Sequence, residues 1–322
     1  MRRAWAVPIL IFGAVALLAG NGDPGPSIQF TSINFPGATF TAAEGINPGG
    51  DIVGTYKDAQ GHQHGFLLSN GQFSTIDVPD AVTTIATGIN PAGDIVGRYT
   101  APTGSTAECM AAGSPACIHG FLYSQGTFTT LTFPGHPGAF AQRITPDGSI
   151  FGCLHDSDLM GSMFGSAWTH FGDISLVAGG GELTDPGKAV PASMNNGATP
   201  DRNTIVGHFT DMTTNLVHGF VVQSGSFQVY DVPDSTLTQI WDVNPGEQFV
   251  GTYVDKTGKR HGFLQLPDGS PPITIDVPSQ SPFNASPSTI PYGINPGGAI
   301  VGQYTDTSGH THGFLARVGQ RN

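Results

Sequence analysis

Short apolar runs alternate with polar residues at a period of two along most of the chain, and clusters of Gly, Pro, Asn and Asp separate them. No segment sustains the 3.6-residue period of an amphipathic helix. The first clear stretch predicts four strands over Thr41–Asn47, Asp51–Tyr56, His64–Ser69 and Gln72–Val78. These segments are rich in Ile, Val, Phe, Tyr and Thr, which suit a pleated, half-buried surface. The corners between them carry turn chemistry: Asn47-Pro48-Gly49-Gly50, Asp58-Ala59-Gln60-Gly61 and Asn70-Gly71 place Asn, Pro and Gly where tight turns need them.

This four-strand unit recurs. Gly45 to Tyr56 is echoed from Gly88 to Tyr99 and from Gly293 to Tyr304, with looser copies at Arg143–Leu154, Ser193–Phe209 and Asp242–Tyr253. The glycine of the Ile-Val-Gly step falls at Gly54, Gly97, Gly152, Gly207, Gly251 and Gly302, spaced 43 to 55 residues apart. Six units of this length predict an all-β, six-bladed β-propeller of four-stranded blades. We name the strands of a blade a to d from the axis outward. The sixth unit ends after its strand c at His312–Ala316, while Phe30-Thr31-Ser32-Ile33-Asn34-Phe35-Pro36-Gly37-Ala38 matches the strand d of the first unit, Phe73–Ala81. The N-terminal strand is therefore expected to close the ring, with residues 28–36 beside His312–Ala316.

Strand c carries a repeated His-Gly-Phe step at His64, His119, His218, His261 and His312, each followed by Gly and Phe. On these residues the repeats resemble the extracellular HAF-type repeats of bacterial exported proteins, although Gly stands where the name has Ala. The resemblance covers nearly all of the chain after residue 20. It implies an exported repeat protein and brings no catalytic residues with it.

Composition narrows the partners. Only 11% of residues are charged, and 12 Lys plus Arg stand against 24 Asp plus Glu, a net charge of -12. An acidic chain without a basic run offers no footprint for nucleic acid. Residues 1–20 open with Arg2 and Arg3, continue through the apolar run Ala6–Leu18 and end in Ala19-Gly20, the pattern of a secretory signal. Pro8 and Gly13 interrupt the run, which is short for a membrane span. The expected organisation is a signal peptide over 1–20 and one propeller domain over 21–322, secreted, periplasmic or at the cell surface, monomeric and without a membrane span. Export permits a disulfide between Cys109 and Cys117, which share one polar insertion, whereas Cys153 sits in an apolar strand.

A histidine repeated in five blades cannot converge on one site, so these side chains read as packing groups, half-buried and hydrogen-bonded between blades. His62-x-His64 and His310-x-His312 could face one another across the ring closure, but no third ligand completes a set, and no metal or cofactor is expected. Asp58, Asp211, Asp255 and Asp306 follow strand b as turn residues, and Asp77, Asp231 and Asp276 read as strand-end geometry.

Departures from the repeat point elsewhere. The a–b and c–d corners read as uniformly short, while the b–c and d–a connections vary in length, which puts variability on one face. Unit three departs most: Ser166-Ala167-Trp168 stands in for His-Gly-Phe, and His155 and Asp156 follow its strand b. Strand a offers Glu44, Gln142, Arg143, Trp241, Asp242 and Tyr292 at or beside the repeated glycine. Carboxylates, an arginine and aromatics at one mouth could bind a sugar or an organic acid. Glu44, Arg143, His155, Asp156, Trp241, Asp242 and Tyr292 are therefore the candidate ligand-binding residues, and no catalytic motif is present. The sequence supports an exported, non-catalytic binding or interaction module for a small molecule, a glycan or a surface protein. The alternative is an extracellular carbohydrate-active hydrolase or lyase working at the variable face.

Overall fold

The computed structural model describes residues 26–319 apart from 107–108, 111–116, 132–137, 156–162, 170–172, 177–192, 212, 281 and 284. Its elements are all strands. Blade 1 holds β2 (Phe40–Ile46), β3 (Ile52–Lys57), β4 (Gln63–Ser69) and β5 (Gln72–Ile76), each antiparallel to the next. Blades 2 to 5 repeat this as β6 (Thr83–Ile89) to β9 (Thr127–Leu131), β10 (Gly138–Ile144) to β13 (Asp173–Leu176), β14 (Ser193–Ala198) to β17 (Ser226–Tyr230), and β18 (Ser235–Val243) to β21 (Ile273–Ile275). Blade 6 takes β22 (Ala285–Ile294), β23 (Ala299–Asp306) and β24 (Thr311–Val318) from one end of the chain and β1 (Ile28–Ile33) from the other. The register runs from Ile28↔Val318 to Ile33↔Gly313, so the expected closure is present.

Stability follows from how these sheets stack. Six apolar clusters sit one at each interface between neighbouring blades. Val53 and Ile76 of blade 1, for example, pack on Ala86, Ile89, Ile95 and Phe121 of blade 2. The closing interface joins Ile33 and Val301 of blade 6 to Ala43, Ile52 and Phe66 of blade 1. Each phenylalanine of the His-Gly-Phe step is fully buried. The Ile-Val-Gly glycine is obligatory for that packing, because a Cβ on Gly54 would meet the Phe66 ring at 2.8 Å as well as the carbonyl of Ala42. A second device ties the a–b corners into a belt: Asn47 Nδ2 donates to the Asn90 carbonyl, Asn244 Nδ2 to that of Asn295, and Asn295 Nδ2 to that of Asn47. The last of these links crosses the ring closure.

The structure corrects three sequence expectations. Four of the five repeated histidines bond within their own blades, because strand d returns beside strand c: His64, His218 and His261 place Nδ1 at 2.8, 2.8 and 2.6 Å from Asp77, Asp231 and Asp276. In blade 6 the partner is Asn34 from the N-terminal segment, 2.7 Å from His312. Those aspartates are thus histidine partners rather than mere strand ends. The turn aspartates do cap their own loops, as Asp58 Oδ1 does for Gln60 and His62, but Asp255 and Asp306 also reach His261 and His312 Nε2 at 3.4 and 3.1 Å. Second, Gly152 pairs with Ser166 where Gly54 pairs with Phe66. The step of blade 3 is therefore Phe164-Gly165-Ser166, two positions earlier than Ser166-Ala167-Trp168. Third, the c–d corners are not uniformly short: His261 lies 15 positions from Asp276, against 13 for His64 and Asp77.

These carboxylate–imidazole contacts set a pH dependence. Burial alone would lower the pKa of His261, but Asp276 and Asp255 outweigh it and the net shift is upward from 6.5. Stability from this group is then fully present below about pH 6.5 and is lost as pH rises through the elevated folded value. Asp306 behaves oppositely: contact with His312 and the His310 amide holds it at about 2, so its contribution is present above about pH 4 and disappears as pH falls through that value. His261→Ala is expected to cost about 1 kcal/mol near pH 6. Thermal unfolding of both proteins from pH 5 to 8.5 should show the wild-type advantage shrinking toward the alkaline end, and an advantage that grows would contradict the assignment.

Cys109 and Cys117 are bridged, with Cα atoms 4.7 Å apart. Cys153 stays a thiol, fully buried in β11 (Ile150–His155), and burial pushes its pKa up. Among the described residues no helix is long and apolar enough to cross a membrane.

Candidate functional site

Every strand a carries the same irregularity. The register slips between Ala43/Gly45, Ala86/Gly88, Ala141/Arg143, Asn195/Gly197, Ile240/Asp242 and Pro291/Gly293. A bulge leaves one residue out of the ladder and re-aims its side chain. At this shared position the bulged residues are Glu44, Thr87, Gln142, Asn196, Trp241 and Tyr292, one per blade, and they form a ring at the axis.

The residue after each bulge decides how closely the strands approach. Four blades have glycine there, and a Cβ on Gly45 would come within 2.6 Å of the Thr87 carbonyl, one on Gly293 within 3.1 Å of that of Glu44. Blades 3 and 5 instead carry Arg143 and Asp242, which meet across Gly197 with Nε 3.2 Å from Oδ2. Arg143 Nη1 also donates to the carbonyls of Thr87 and Gln142 at 2.7 Å each, and Nη2 donates to that of Tyr292. One guanidinium thus ties together blades 2, 3, 5 and 6 and plugs the axis. Asp242 stands behind it, accepting from the amides of Val243 and Ile294 at 3.0 Å each. Burial raises the Asp242 pKa, and Arg143 with those two amides opposes the rise.

Above this plug lies a cavity of about 150 Å³. Glu44, Arg143, Trp241 and Tyr292 all line it, so four of the sequence candidates converge. Trp241 meets Tyr292 edge-on at 5.3 Å and the His208 ring at 5.2 Å. Burial raises the pKa of Glu44, with Arg98 and Arg143 pulling it back; the Tyr292 phenol is likewise raised by burial. Trp241 Nε1 and Asn196 Oδ1 are buried without a protein partner, and buried polar atoms of that kind call for explanation. His155 ends β11, opposite Gly138 at the entry to β10, and its side chain, like Asp156 altogether, lies outside the described residues.

Sequence reasoning missed several members of this wall. Arg98 lies 5.0 Å from the centre of the Phe140 ring and 3.5 Å from Gln142 Oε1. Asn196 Nδ2 donates to His208 Nδ1 at 2.8 Å, which puts the imidazole proton on Nε2; burial lowers His208 to about 4, so the ring is neutral at pH 7. A signal was available, because the residue after the Ile-Val-Gly glycine reads Thr55, Arg98, Cys153, His208, Thr252 and Gln303. That column changes chemical character from blade to blade, whereas the position before it is always glycine and the one after it is always a large apolar or aromatic residue.

Comparison with solved structures bears out the architecture. The fold is similar to AofleA from Arthrobotrys oligospora (TM-score 0.52, 13% identity, 94% of this chain and 90% of that chain covered). It is also similar to the Aleuria aurantia lectin, described as a six-bladed β-propeller with a novel fucose recognition mode (TM-score 0.50, 11% identity, 90% and 96% covered). TolB from Acinetobacter baumannii matches at TM-score 0.51 and 13% identity over 84% of this chain, which spans 64% of the TolB chain. At these identities the likeness concerns the fold alone. No protein-family model and no curated protein matches the chain, so the resemblance to HAF-type repeats rests on its own His-Gly-Phe residues.

Proposed function

We infer that the chain is an exported binding module that holds a small polar ligand in the axial pocket and performs no chemistry on it. The observation that carries this reading is the convergence of the four repeat-breaking residues Glu44, Arg143, Trp241 and Tyr292 on one cavity. A cavity near 150 Å³ is below the roughly 300–1,000 Å³ of drug-sized sites, which suits a single sugar ring or a hydroxy acid. The aromatic pair offers apolar faces, Trp241 Nε1 a donor and Asn196 Oδ1 an acceptor, while Arg98 supplies a positive charge and Glu44 a carboxyl group. Export is supported by the signal-like residues 1–20 and by the Cys109–Cys117 bridge, which belongs to oxidising compartments.

One observation favours an enzyme: a buried carboxyl with a raised pKa, as Glu44 has, is what a general acid in glycoside cleavage needs. Such chemistry also needs a second available carboxylate, and Asp242 is already engaged by Arg143 and two backbone amides. Binding is the better-supported reading. The test is to titrate a panel of neutral and acidic monosaccharides, following Trp241 fluorescence in a Trp5→Phe/Trp168→Phe background that removes the other two tryptophans, and to assay the mixtures for products by chromatography. Saturable binding without product is expected. Conversion of a bound sugar would transfer the site to the hydrolase or lyase reading.

A further inference from the structure

A second cavity, of about 550 Å³, lies between blades 4 and 5, reaching from Glu247 in the a–b corner to Asp231 and Pro233 past the far end of β17, and shares no residue with the axial pocket. One wall is made by alternate residues of β16 (Leu216–Gln223) and β17: Val221, Gln223, Gln228 and Tyr230. The other is Phe249, Gln265 and the segment Leu266–Pro272. That segment is particular to blade 5, whose c–d connection is the long one. Pro271 and Pro272 cannot donate to a ladder, so β21 shrinks to Ile273–Ile275 and the released chain becomes a wall where blade 1 has the corner Asn70-Gly71.

The walls are tied to each other. The Tyr230 hydroxyl donates to Gln265 Oε1 at 2.7 Å, and Gln265 Nε2 donates to the carbonyls of Leu266 and Ser270 at 2.8 Å each. Tyr230 and Phe249 pack edge-on at 4.9 Å. At the open end Glu247 accepts from Gln223 Nε2 at 2.9 Å and from Thr204 Oγ1 at 3.3 Å. Ser270 Oγ is buried without a protein partner. No Lys, Arg or His is among the residues that line the cleft, whereas Asp231 and Glu247 are, so its charged lining disfavours an anion. Amides give donors and acceptors, carboxylates give acceptors, and the aromatic and prolyl faces give flat apolar contact. A pyranose chain has hydroxyls on its rim and C–H groups on its faces, and the volume falls within the range of ligand sites.

We propose that the cleft between blades 4 and 5 is a binding site for a neutral carbohydrate chain, separate from the axial pocket and created by the lengthened corner of blade 5. The test uses side-chain amide NMR of the full protein with cellohexaose, xylohexaose and mannohexaose at about 10 mM, enough to fill a site with a Kd of about 1 mM, and with an oligogalacturonate of the same length. At least one neutral hexaose is expected to shift the amides of Gln223, Gln228 and Gln265, and the oligogalacturonate is expected to bind at least tenfold more weakly, roughly the loss of one good contact. Tyr230→Ala, and separately exchange of Gln265–Pro272 for the six residues Leu68–Phe73 of blade 1, should each abolish those shifts while Trp241 fluorescence stays as in wild type. Silence of all three neutral hexaoses, shifts confined to the axial pocket, equal binding of the oligogalacturonate, or binding that survives the corner exchange would each overturn the proposal.

Discussion

Arg143→Ala is expected to destabilise the protein by about 3–5 kcal/mol, because it removes one partner of a buried ion pair and leaves three carbonyls without their donor. The pair is well enclosed, with both side chains only 12% exposed. Loss of the guanidinium strands Asp242 among the amides of Val243 and Ile294 and opens the axis where four blades were tied. Replacing both members by apolar residues of similar size avoids the lone buried charge, so Arg143→Met with Asp242→Leu should recover much of the loss. Urea unfolding of the two single variants and the double variant checks this. Additive losses would show that the pair is not coupled and that Arg143 is not the tie across the axis.

Removing residues 1–37 should be still more damaging. β1 supplies the outer strand of blade 6 through six register pairs along β24, and its loss bares a strand edge that invites association. Phe30 and Ile33 are also lost from two different interfaces, where Phe30 packs edge-on against Phe314 at 5.8 Å and Ile33 against blade 1. Phe30→Ala alone is expected to cost about 3–5 kcal/mol, the range for a buried aromatic. The truncated chain should unfold at markedly lower temperature or fail to stay soluble, with light scattering and thermal denaturation as readouts. A truncation that melts like the full chain would deny that the N-terminal strand closes the ring.

The repeat carries the fold in plain view. Strand order, the Asn-Pro-Gly corners and even the displaced strand d follow from residues that recur at fixed positions, since each blade solves the same packing problem with the same side chains. Gly54 and Phe66 read as a pattern before they are seen as a contact. The site was legible only in part, because it lies where the pattern breaks. Glu44, Arg143, Trp241 and Tyr292 stood out beside a repeated glycine, yet alternation alone does not reveal that a bulge turns one residue per blade to the axis. Asp242 was legible as an odd residue, but its engagement by Arg143 depends on two strands separated by a whole blade. Arg98 and His208 were missed because a strand b residue reaches the pocket only through the curvature of the ring. The histidines show the reverse error: their repetition marked them as structural, but the hairpin of strands c and d, which sets Asp77 beside His64, had to be seen to identify their partners.

The central claim is that the axial pocket binds and the repeated histidines only hold the blades. It is tested most directly by one measurement: ligand affinity, read by Trp241 fluorescence with whichever monosaccharide proves to bind, across Glu44→Ala, Arg98→Ala, His64→Ala and His261→Ala. The account predicts that the first two weaken binding by about tenfold or more, the equivalent of roughly 1.4 kcal/mol, with melting temperatures close to wild type, while the two histidine variants melt earlier and bind normally. Affinity that tracks the histidines and ignores Glu44 and Arg98 would contradict it.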